Sequence, residues 1–148
     1  MARYYPVSPL IWTDHTARCW DDATKLLAHY LLTCPHRNLE GLFRLPLPYI
    51  ADDLRWSASK VEKAIRRLED DGFISRDPTT DVVLIRKALK YQAPKSPKQI
   101  KGALAVLSEV PPSSVHPDFI AACDKYAPEF AEALAKGIDT HSDGVDPG

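Results

Sequence analysis

The stretch that decides the fold is SASKVEKAIRRLEDDG, residues 57–72. Its apolar residues recur at i, i+3, i+4 and i+7, which is the spacing of one face of an α-helix. Ser57 is a favoured residue immediately before a helix, and Gly72 is favoured immediately after one. The pattern therefore predicts a helix over residues 58–71. Its predicted buried face consists of Val61, Ala64, Ile65 and Leu68.

The opposite face of this predicted helix is polar and basic, and the charge around it is unevenly spread along the chain. Residues 59–101 contain eleven Lys or Arg and six Asp or Glu, a net charge of +5, whereas residues 1–58 are neutral and residues 102–148 carry −6. A positive segment of this kind indicates a localised surface for a polyanion. Basic residues opposite an apolar stripe are also typical of any solvated helix face, so the helix alone leaves both interpretations open.

Three further elements are predicted upstream of this helix. An amphipathic helix begins near Asp21, whose carboxylate suits a helix N-terminus, and it stops at Pro35. Residues 41–45 have the composition of a short strand, and residues 48–54 that of a two-turn helix with a proline in its first turn. The predicted apolar stripe of the first helix consists of Ala23, Leu26, Leu27, Tyr30 and Leu31.

Two β-rich runs follow the basic helix, at residues 73–76 and 82–86, and the turn-rich segment 77–81 joins them at hairpin length. The predicted order is therefore helix, short strand, helix, tight turn, helix and hairpin. That order is the one found in winged helix-turn-helix proteins. We predict an α+β fold that is mostly α-helical: a winged helix-turn-helix with additional C-terminal helices.

The remaining sequence predicts a helical extension and a polar tail. A proline-containing connector at residues 93–97 precedes predicted helices at 98–109, 117–126 and 128–136. From Gly137 onward the chain is polar, acidic and without periodicity, which is typical of disorder. The predicted organisation is thus a DNA-binding domain over 1–92, a helical extension over 93–136, and a disordered tail or truncated linker over 137–148.

In a helix-turn-helix the second helix lies in the major groove of double-stranded DNA, where basic and polar side chains contact bases and phosphates. The helix over 58–71 is in that position, so its exposed side chains are candidate DNA contacts. The hairpin is expected to contact the DNA backbone or minor groove, and the basic tract continues beyond it. The candidate DNA-binding residues are Ser57, Ser59, Lys60, Lys63, Arg66, Arg67, Arg76, Thr79, Thr80 and Lys87.

Other classes of function find little support in the sequence. The carboxylate clusters fall at exposed helical positions, no histidine has a partner that suggests a catalytic triad, and no glycine-rich phosphate loop is present. The three cysteines lack the paired spacing of a zinc site or a disulfide framework. We therefore predict a non-enzymatic protein with no cofactor and no metal. Core packing is the expected role of the three tryptophans, Trp12, Trp20 and Trp56.

Several stretches resemble one family. Four stretches carry the resemblance: Trp-Asp-Asp at residues 20–22, Arg-Asn-Leu-Glu-Gly at 37–41, the helix with its Asp-Gly-Phe end at 71–73, and Ala-Leu-Lys-Tyr-Gln at 88–92. They are similar to the N-terminal winged-helix module of phage replication-initiation proteins, the DnaD-like replisome organisers and helicase loaders. The resemblance covers about residues 3–130. It implies binding to origin or replication-fork DNA, self-association into a homo-oligomer, and recruitment of a replicative helicase or helicase loader.

Two alternative functions remain open at this point. A winged-helix transcriptional repressor would bind a palindrome as a two-fold dimer. A winged-helix adaptor without DNA binding would hold a protein partner through its acidic C-terminal helices. The sequence shows no signal peptide and no apolar run long enough to span a membrane, so residence in the cytoplasm of a bacterial host cell, with no membrane partner, is the expectation.

Overall fold

The computed structural model describes the backbone of residues 4–144 and the side chains of residues 4–136. The fold is a mostly helical α+β fold with a three-stranded antiparallel sheet. A 3-10 turn at Pro9–Trp12 comes before the first helix. The helices are α1 (His15–Arg18), α2 (Asp22–Thr33), α3 (Leu47–Leu54), α4 (Ala58–Asp70), α5 (Ala88–Gln92), α6 (Pro97–Leu107), α7 (His116–Tyr126) and α8 (Pro128–Gly144). The strands are β1 (Leu42–Arg44), β2 (Ile74–Asp77) and β3 (Val82–Ile85).

Helix α4 forms where the sequence predicts it, and its ends have the predicted chemistry. The Ser57 hydroxyl accepts a hydrogen bond from the Lys60 amide at 3.3 Å, which satisfies one of the amides that a helix N-terminus leaves without a partner. At the other end Gly72 has φ +76°, the left-handed conformation that follows many helices. All four residues of the predicted apolar face are buried.

Helix α2 also forms as predicted, but its buried face is rotated from the predicted stripe. The Asp21 carboxylate accepts a hydrogen bond from the Thr24 amide at 2.8 Å and so starts the helix. Leu26, which the stripe includes, is 51% exposed, whereas Thr24 and Ala28 are buried. The prediction for Leu26 is wrong. The apolar residues of α2 span a wider arc of the helix than the part of its surface that packs against the rest of the protein.

A tight turn joins α3 to α4. Arg55 adopts a left-handed conformation with φ 57° and ψ 48°, and the amide of Trp56 donates to the carbonyl of Ala51 at 3.0 Å. The chain therefore passes from α3 to α4 within three residues. The result is a pair of packed helices in which the outer side of α4 faces away from the core.

The sheet has strand order β1-β3-β2, with Phe43 paired to Val83 and Arg76 paired to Val83 on the other side. Successive side chains of a strand point to opposite faces. On one face the strands supply a hydrophobic cluster that α2, α3 and α4 complete. The sheet residues in that first cluster are Phe43, Ile74, Val83 and Ile85.

The opposite face of the sheet packs against the C-terminal helices. Leu42, Val82 and Leu84 form a second hydrophobic cluster with side chains of α5 to α8. Phe119 and Phe130 lie in its middle with their ring centroids 6.4 Å apart, edge to face. All four residues of β3 are consequently buried, because the strand lies between the two clusters. The predicted boundary between residues 92 and 93 remains a prediction, and the helices beyond it share a core with the sheet.

The predicted packing of the tryptophans is confirmed for two of the three. Trp20 is 5% exposed and contacts Phe73 edge to face, and Trp56 packs against the first cluster. Trp12 is 66% exposed, so the prediction of core packing is wrong for this residue. It lies at the end of the short 3-10 turn, which places its ring on the surface of the protein.

Some elements differ from the sequence-based predictions in extent. The turn at Pro9–Trp12, α1 and α5 were not predicted. Helix α8 forms as predicted and continues beyond Lys136 to Gly144. The predicted disorder concerns residues 137–148, whose side chains lie outside the described residues, as does the backbone of residues 145–148. Across the described part of the chain, no helix combines the length and the apolar character needed to cross a membrane.

Candidate nucleic-acid interface

The outer face of α4 is the centre of the candidate interface. Burial of Val61 and Leu68 against α2 and α3 turns the other side of the helix to solvent. Lys63 and Arg66 lie on that exposed side. Among the described residues, neither has an acidic side chain within ion-pair distance. Both cations are therefore available to a ligand without an ion pair having to break.

Two other basic residues of α4 have partners within the protein. The Lys60 ammonium lies 4.5 Å from the centre of the Trp56 ring, a cation–π arrangement. The Arg67 Nε donates to the Asp71 carboxylate at 2.8 Å, and the same carboxylate accepts from the Trp20 indole N–H at 2.7 Å. These two donors lower the pKa of Asp71. Arg67 thus helps to fix the C-terminal end of α4 against Trp20.

Acidic neighbours limit the positive charge of this face. Glu62 and Asp70 are exposed on α4 itself. Asp21 faces the same surface from the start of α2: its hydrogen bonds with Thr24 lower the pKa of its carboxyl, and the charges of Lys63 and Arg67 lower it further. The surface around α4 is therefore of mixed sign, and among the described residues the cations at positions 63 and 66 are its basic groups without an ion pair or a ring contact.

The two candidate serines lie at the N-terminal end of α4. The Ser57 hydroxyl caps the helix, and the Ser59 hydroxyl lies 3.3 Å from it. Both residues are exposed. Free amides and the helix dipole make such an end favourable for a negatively charged group. Ser59 can donate a hydrogen bond to a ligand while the hydrogen bond from the Lys60 amide to Ser57 stays in place.

The hairpin supplies fewer free groups than the sequence predicts. The guanidinium of Arg76 is bonded to the Asp81 carboxylate at 2.9 Å, and its side chain is only 11% exposed. Thr79 is exposed at the turn, whereas Thr80 is half-buried. A DNA contact by Arg76 would require this ion pair to open. Thr79 is the accessible candidate of the three.

The tip of the hairpin is tied to the C-terminal helices. Asp77 is buried, and its carboxylate accepts hydrogen bonds from the amides of Thr79 and Ser114, both at 2.9 Å. These bonds, that from Ser114 foremost, lower the pKa of Asp77. The turn of the hairpin is thereby held against the loop before α7 in a fixed position relative to α4.

Lys87 lies two residues after the end of β3 and is exposed immediately before α5. Together with Lys90 it borders a groove of about 410 Å³ between α5 and the N-terminal segment, which Leu10 and Phe73 also line. This groove lies at the end of β3, so Lys87 extends the basic surface beyond the hairpin.

Arg37 joins two of the stretches singled out in the sequence, residues 37–41 and 88–92. This arginine is 3% exposed, and its guanidinium donates to the carbonyls of Leu32 and Asn38 and to the side-chain oxygen of Gln92 at 2.7 to 2.8 Å. Burial lowers its pKa. Arg37 therefore joins residues 37–41 to α5 and has a structural role that sequence reasoning did not assign.

Comparison with protein families, with curated proteins and with solved structures finds no match to this chain.

Proposed function

We propose that this chain is a winged-helix DNA-binding protein in which α4 enters the major groove and the β2–β3 hairpin serves as the wing. The observation that carries the proposal is that Lys63 and Arg66, on the second helix of the α3–α4 pair, are exposed and have no ion pair among the described residues. The left-handed turn at Arg55 and the hairpin that directly follows α4 support it. These features match the order of elements by which winged helices present a basic helix to DNA.

The residues divide by role in this proposal. Arg66 can donate two hydrogen bonds to a guanine edge, and Lys63 can neutralise a phosphate. Ser59 and Thr79 contact the backbone from the start of α4 and from the wing. Lys60 and Arg67 shape the helix surface through their internal partners, and Lys87 adds long-range attraction.

We further propose that the protein acts in replication initiation of phage or prophage type, with origin binding, self-association and recruitment of a replicative helicase or its loader. This part rests on the resemblance of residues 37–41 and 88–92 to replisome organisers. The contact between Arg37 and Gln92 supports treating both stretches as parts of one structural unit.

Binding of a fluorescein-labelled 30-base-pair duplex, followed by anisotropy from 50 to 300 mM NaCl, tests the proposal. We expect affinity to fall steeply with salt, because phosphate contacts release counterions. We expect Lys63→Ala and Arg66→Ala each to weaken binding by about 1–3 kcal/mol. Lys125→Ala, at an exposed position on α7, is the matched control and should bind as the unmodified protein does.

Three results would count against parts of this proposal. Absence of salt-sensitive duplex binding would contradict the DNA-binding function. Normal binding by both α4 variants would exclude α4 as the reading helix. Tight binding only to a palindrome, as a two-fold dimer, would indicate a transcriptional repressor in place of a replication initiator.

A further inference from the structure

Trp12 forms an exposed aromatic surface beside α2. Its side chain is 66% exposed, and its ring lies against His29 with centroids 5.2 Å apart and planes tilted by 35°. Hydrogen bonds define the backbone of the 3-10 turn: Ser8 caps it, and the Thr13 amide and hydroxyl both donate to the Leu10 carbonyl at 3.1 Å. The Trp12 ring therefore contacts His29 and leaves most of its surface exposed to solvent.

His29 supports Trp12 from α2 and has an unsatisfied polar atom. Its Nδ1 lies 2.9 Å from the Lys25 carbonyl, which can only accept, so Nδ1 carries the proton. The other ring nitrogen, Nε2, is buried and has no hydrogen-bond partner among the described residues. A buried polar atom without a partner is uncommon in a native fold.

Two cations flank this pair of rings. Arg18 and Lys25 line a hollow of about 220 Å³ together with Trp12, Trp20 and His29. Within the described part of the chain, neither cation has an ion pair. The hollow is smaller than the roughly 300–1,000 Å³ of a pocket that encloses a whole small molecule. Its size and open aromatic wall suit one flat ring with a negatively charged group beside it.

Two acidic side chains close to this surface in the sequence, Asp14 and Asp21, cap helices. The Asp14 carboxylate accepts from the Ala17 amide at 2.9 Å, and Asp21 accepts from the Thr24 amide at 2.8 Å. Their charge is partly offset by the N-terminal dipoles of the helices that they cap. The cations at positions 18 and 25 therefore remain the groups available to an anion.

This surface adjoins the end of α4. Trp20 lines the hollow and donates its indole N–H to Asp71, the residue immediately after α4. The same carboxylate accepts a hydrogen bond from Arg67. Through Trp20 the hollow is therefore connected to the C-terminal end of α4.

We propose that Trp12, His29, Arg18 and Lys25, together called the Trp12 platform, bind one unpaired nucleotide of single-stranded DNA. The base stacks on the open face of Trp12, and Arg18 and Lys25 neutralise the adjacent phosphates. Aromatic rings beside cations are the common means of binding single strands without sequence preference. The proposal rests on the DNA-binding function and adds to it: the protein would hold duplex on α4 and an opened strand on the platform.

The test uses the full chain with fluorescein-labelled dT15, and in parallel rU15 and the 30-base-pair duplex. We expect Trp12→Ala to weaken dT15 binding about 5- to 100-fold, the range of one lost base stack, and Trp12→Phe to retain most of the affinity. The double variant Arg18→Ala/Lys25→Ala should flatten the salt dependence of dT15 binding by about 1.4 in slope, since each single-strand phosphate contact contributes about 0.7. Duplex binding should be unchanged in all three.

Tyr49→Ala is the matched control, because Tyr49 is 48% exposed and lies 5.4 Å from His36 in a similar ring pair. That pair has Asp53 beside it in place of cations, with His36 Nε2 3.4 Å from the carboxylate. We expect dT15 binding by this variant to match the unmodified protein. Far-UV circular dichroism and Tm establish that each variant is folded. Should Trp12→Ala not fold, Trp12→Phe and the double cation variant carry the test.

The outcomes separate this inference from the proposed function. Loss of dT15 binding in Trp12→Ala, with no duplex binding by any form, would uphold the platform and contradict the role of α4. Duplex binding that depends on Lys63, with dT15 binding absent or unchanged in Trp12→Ala, would overturn the platform. An equal loss of duplex and dT15 binding in Trp12→Ala would also overturn it as a separate site. Tenfold tighter binding of rU15 than of dT15 would assign the site to RNA and overturn the DNA assignment.

Discussion

Gly41 lies where the chain before β1 passes closest to α5. Its φ of +78° is a conformation that other residues adopt only with strain, and its carbonyl accepts a hydrogen bond from the Ile85 amide at 2.8 Å. A Cβ atom at this position would lie 2.5 Å from the Cβ of Ala88 and 3.3 Å from the Ile85 carbonyl oxygen. Both the backbone angle and the space therefore require glycine.

We expect Gly41→Ala to lower the free energy of unfolding by about 2–5 kcal/mol, the combined cost of a left-handed alanine and an overpacked contact. Gly72→Ala is the matched control. Gly72 has a similar φ of +76°, but nothing lies within 4 Å of a Cβ built there, so only the backbone cost of about 1–2 kcal/mol applies. Urea unfolding followed by circular dichroism measures both. Equal losses in the two variants would show that the contact with Ala88 is unimportant.

Single residues also explain why the basic face is smaller than the sequence predicts. Arg67 and Arg76 were predicted to contact DNA, and each has an ion pair with an aspartate of its own element or its immediate surroundings. Lys63 and Arg66 are exposed and have no ion pair among the described residues. Local composition does not show which basic side chains form ion pairs. Asp71 and Asp81 come within reach of Arg67 and Arg76 only once the helix end and the hairpin have formed.

At the scale of elements, the hairpin is held by a carboxylate. Because Asp77 accepts two backbone amides, the pKa of its carboxyl is lower in the folded protein than in the unfolded chain. A lowered folded-state pKa contributes stability that is fully present above the unfolded value, about 4, and is lost as the pH falls through the folded value. Asp21 and Asp71 have pKa values shifted in the same direction, so acid should weaken the protein at several helix and hairpin ends together.

We expect Asp77→Ala to lower Tm at pH 7, and the difference from the unmodified protein to shrink as the pH is lowered from 5 to 2. The reason is that protonation removes from the unmodified protein the same stabilisation that the substitution removes. Asp52→Ala, at an exposed position on α3 without a hydrogen bond or ion pair among the described residues, is the control and should leave Tm unchanged. Thermal melts at each pH provide the measurement. A constant difference across the pH range would contradict the role of the Asp77 charge.

At the scale of the whole molecule, the sheet connects two hydrophobic clusters. The first cluster packs α2, α3 and α4 on one face, and the second packs α5 to α8 on the other. A sheet that is covered on both faces cannot lose one layer without exposing Leu42, Val82 and Leu84 to water. The C-terminal helices therefore contribute to the stability of the candidate DNA-binding region itself.

We expect Phe130→Ala, which removes a fully buried ring, to cost about 3–5 kcal/mol and to destabilise both clusters together. Trp20 belongs to the first cluster and Trp56 packs against it, so the change in their fluorescence on unfolding reports that cluster. Far-UV circular dichroism reports all helices. Both midpoints should fall equally in urea. Ile120→Ala, on the exposed side of α7, should have a small effect on both. A shift in the circular-dichroism midpoint alone would indicate that the C-terminal helices unfold as a separate unit.

The sequence by itself determined the main helices and the hairpin. Apolar spacing of 3.6 residues, a serine or aspartate before the first turn, and a glycine or proline after the last are local signals, so α2, α4 and α6 to α8 are predictable from neighbouring residues. The same spacing identified Lys63 and Arg66 as positions on the polar side of α4. Helices α1 and α5 have four and five residues, which are too few for an apolar spacing of 3.6 residues to be recognised.

Only the tertiary structure decided which side chains are free, which are bound and which are exposed. The hydrogen bond from Trp20 to Asp71 spans 51 residues, that from Arg37 to Gln92 spans 55, and that from Ser114 to Asp77 spans 37. The exposure of Trp12 and the covering of the second sheet face depend on the same long-range packing. The physical reason is that periodicity reports the polarity of a helix face, whereas the partner of each side chain depends on which distant segment lies against it.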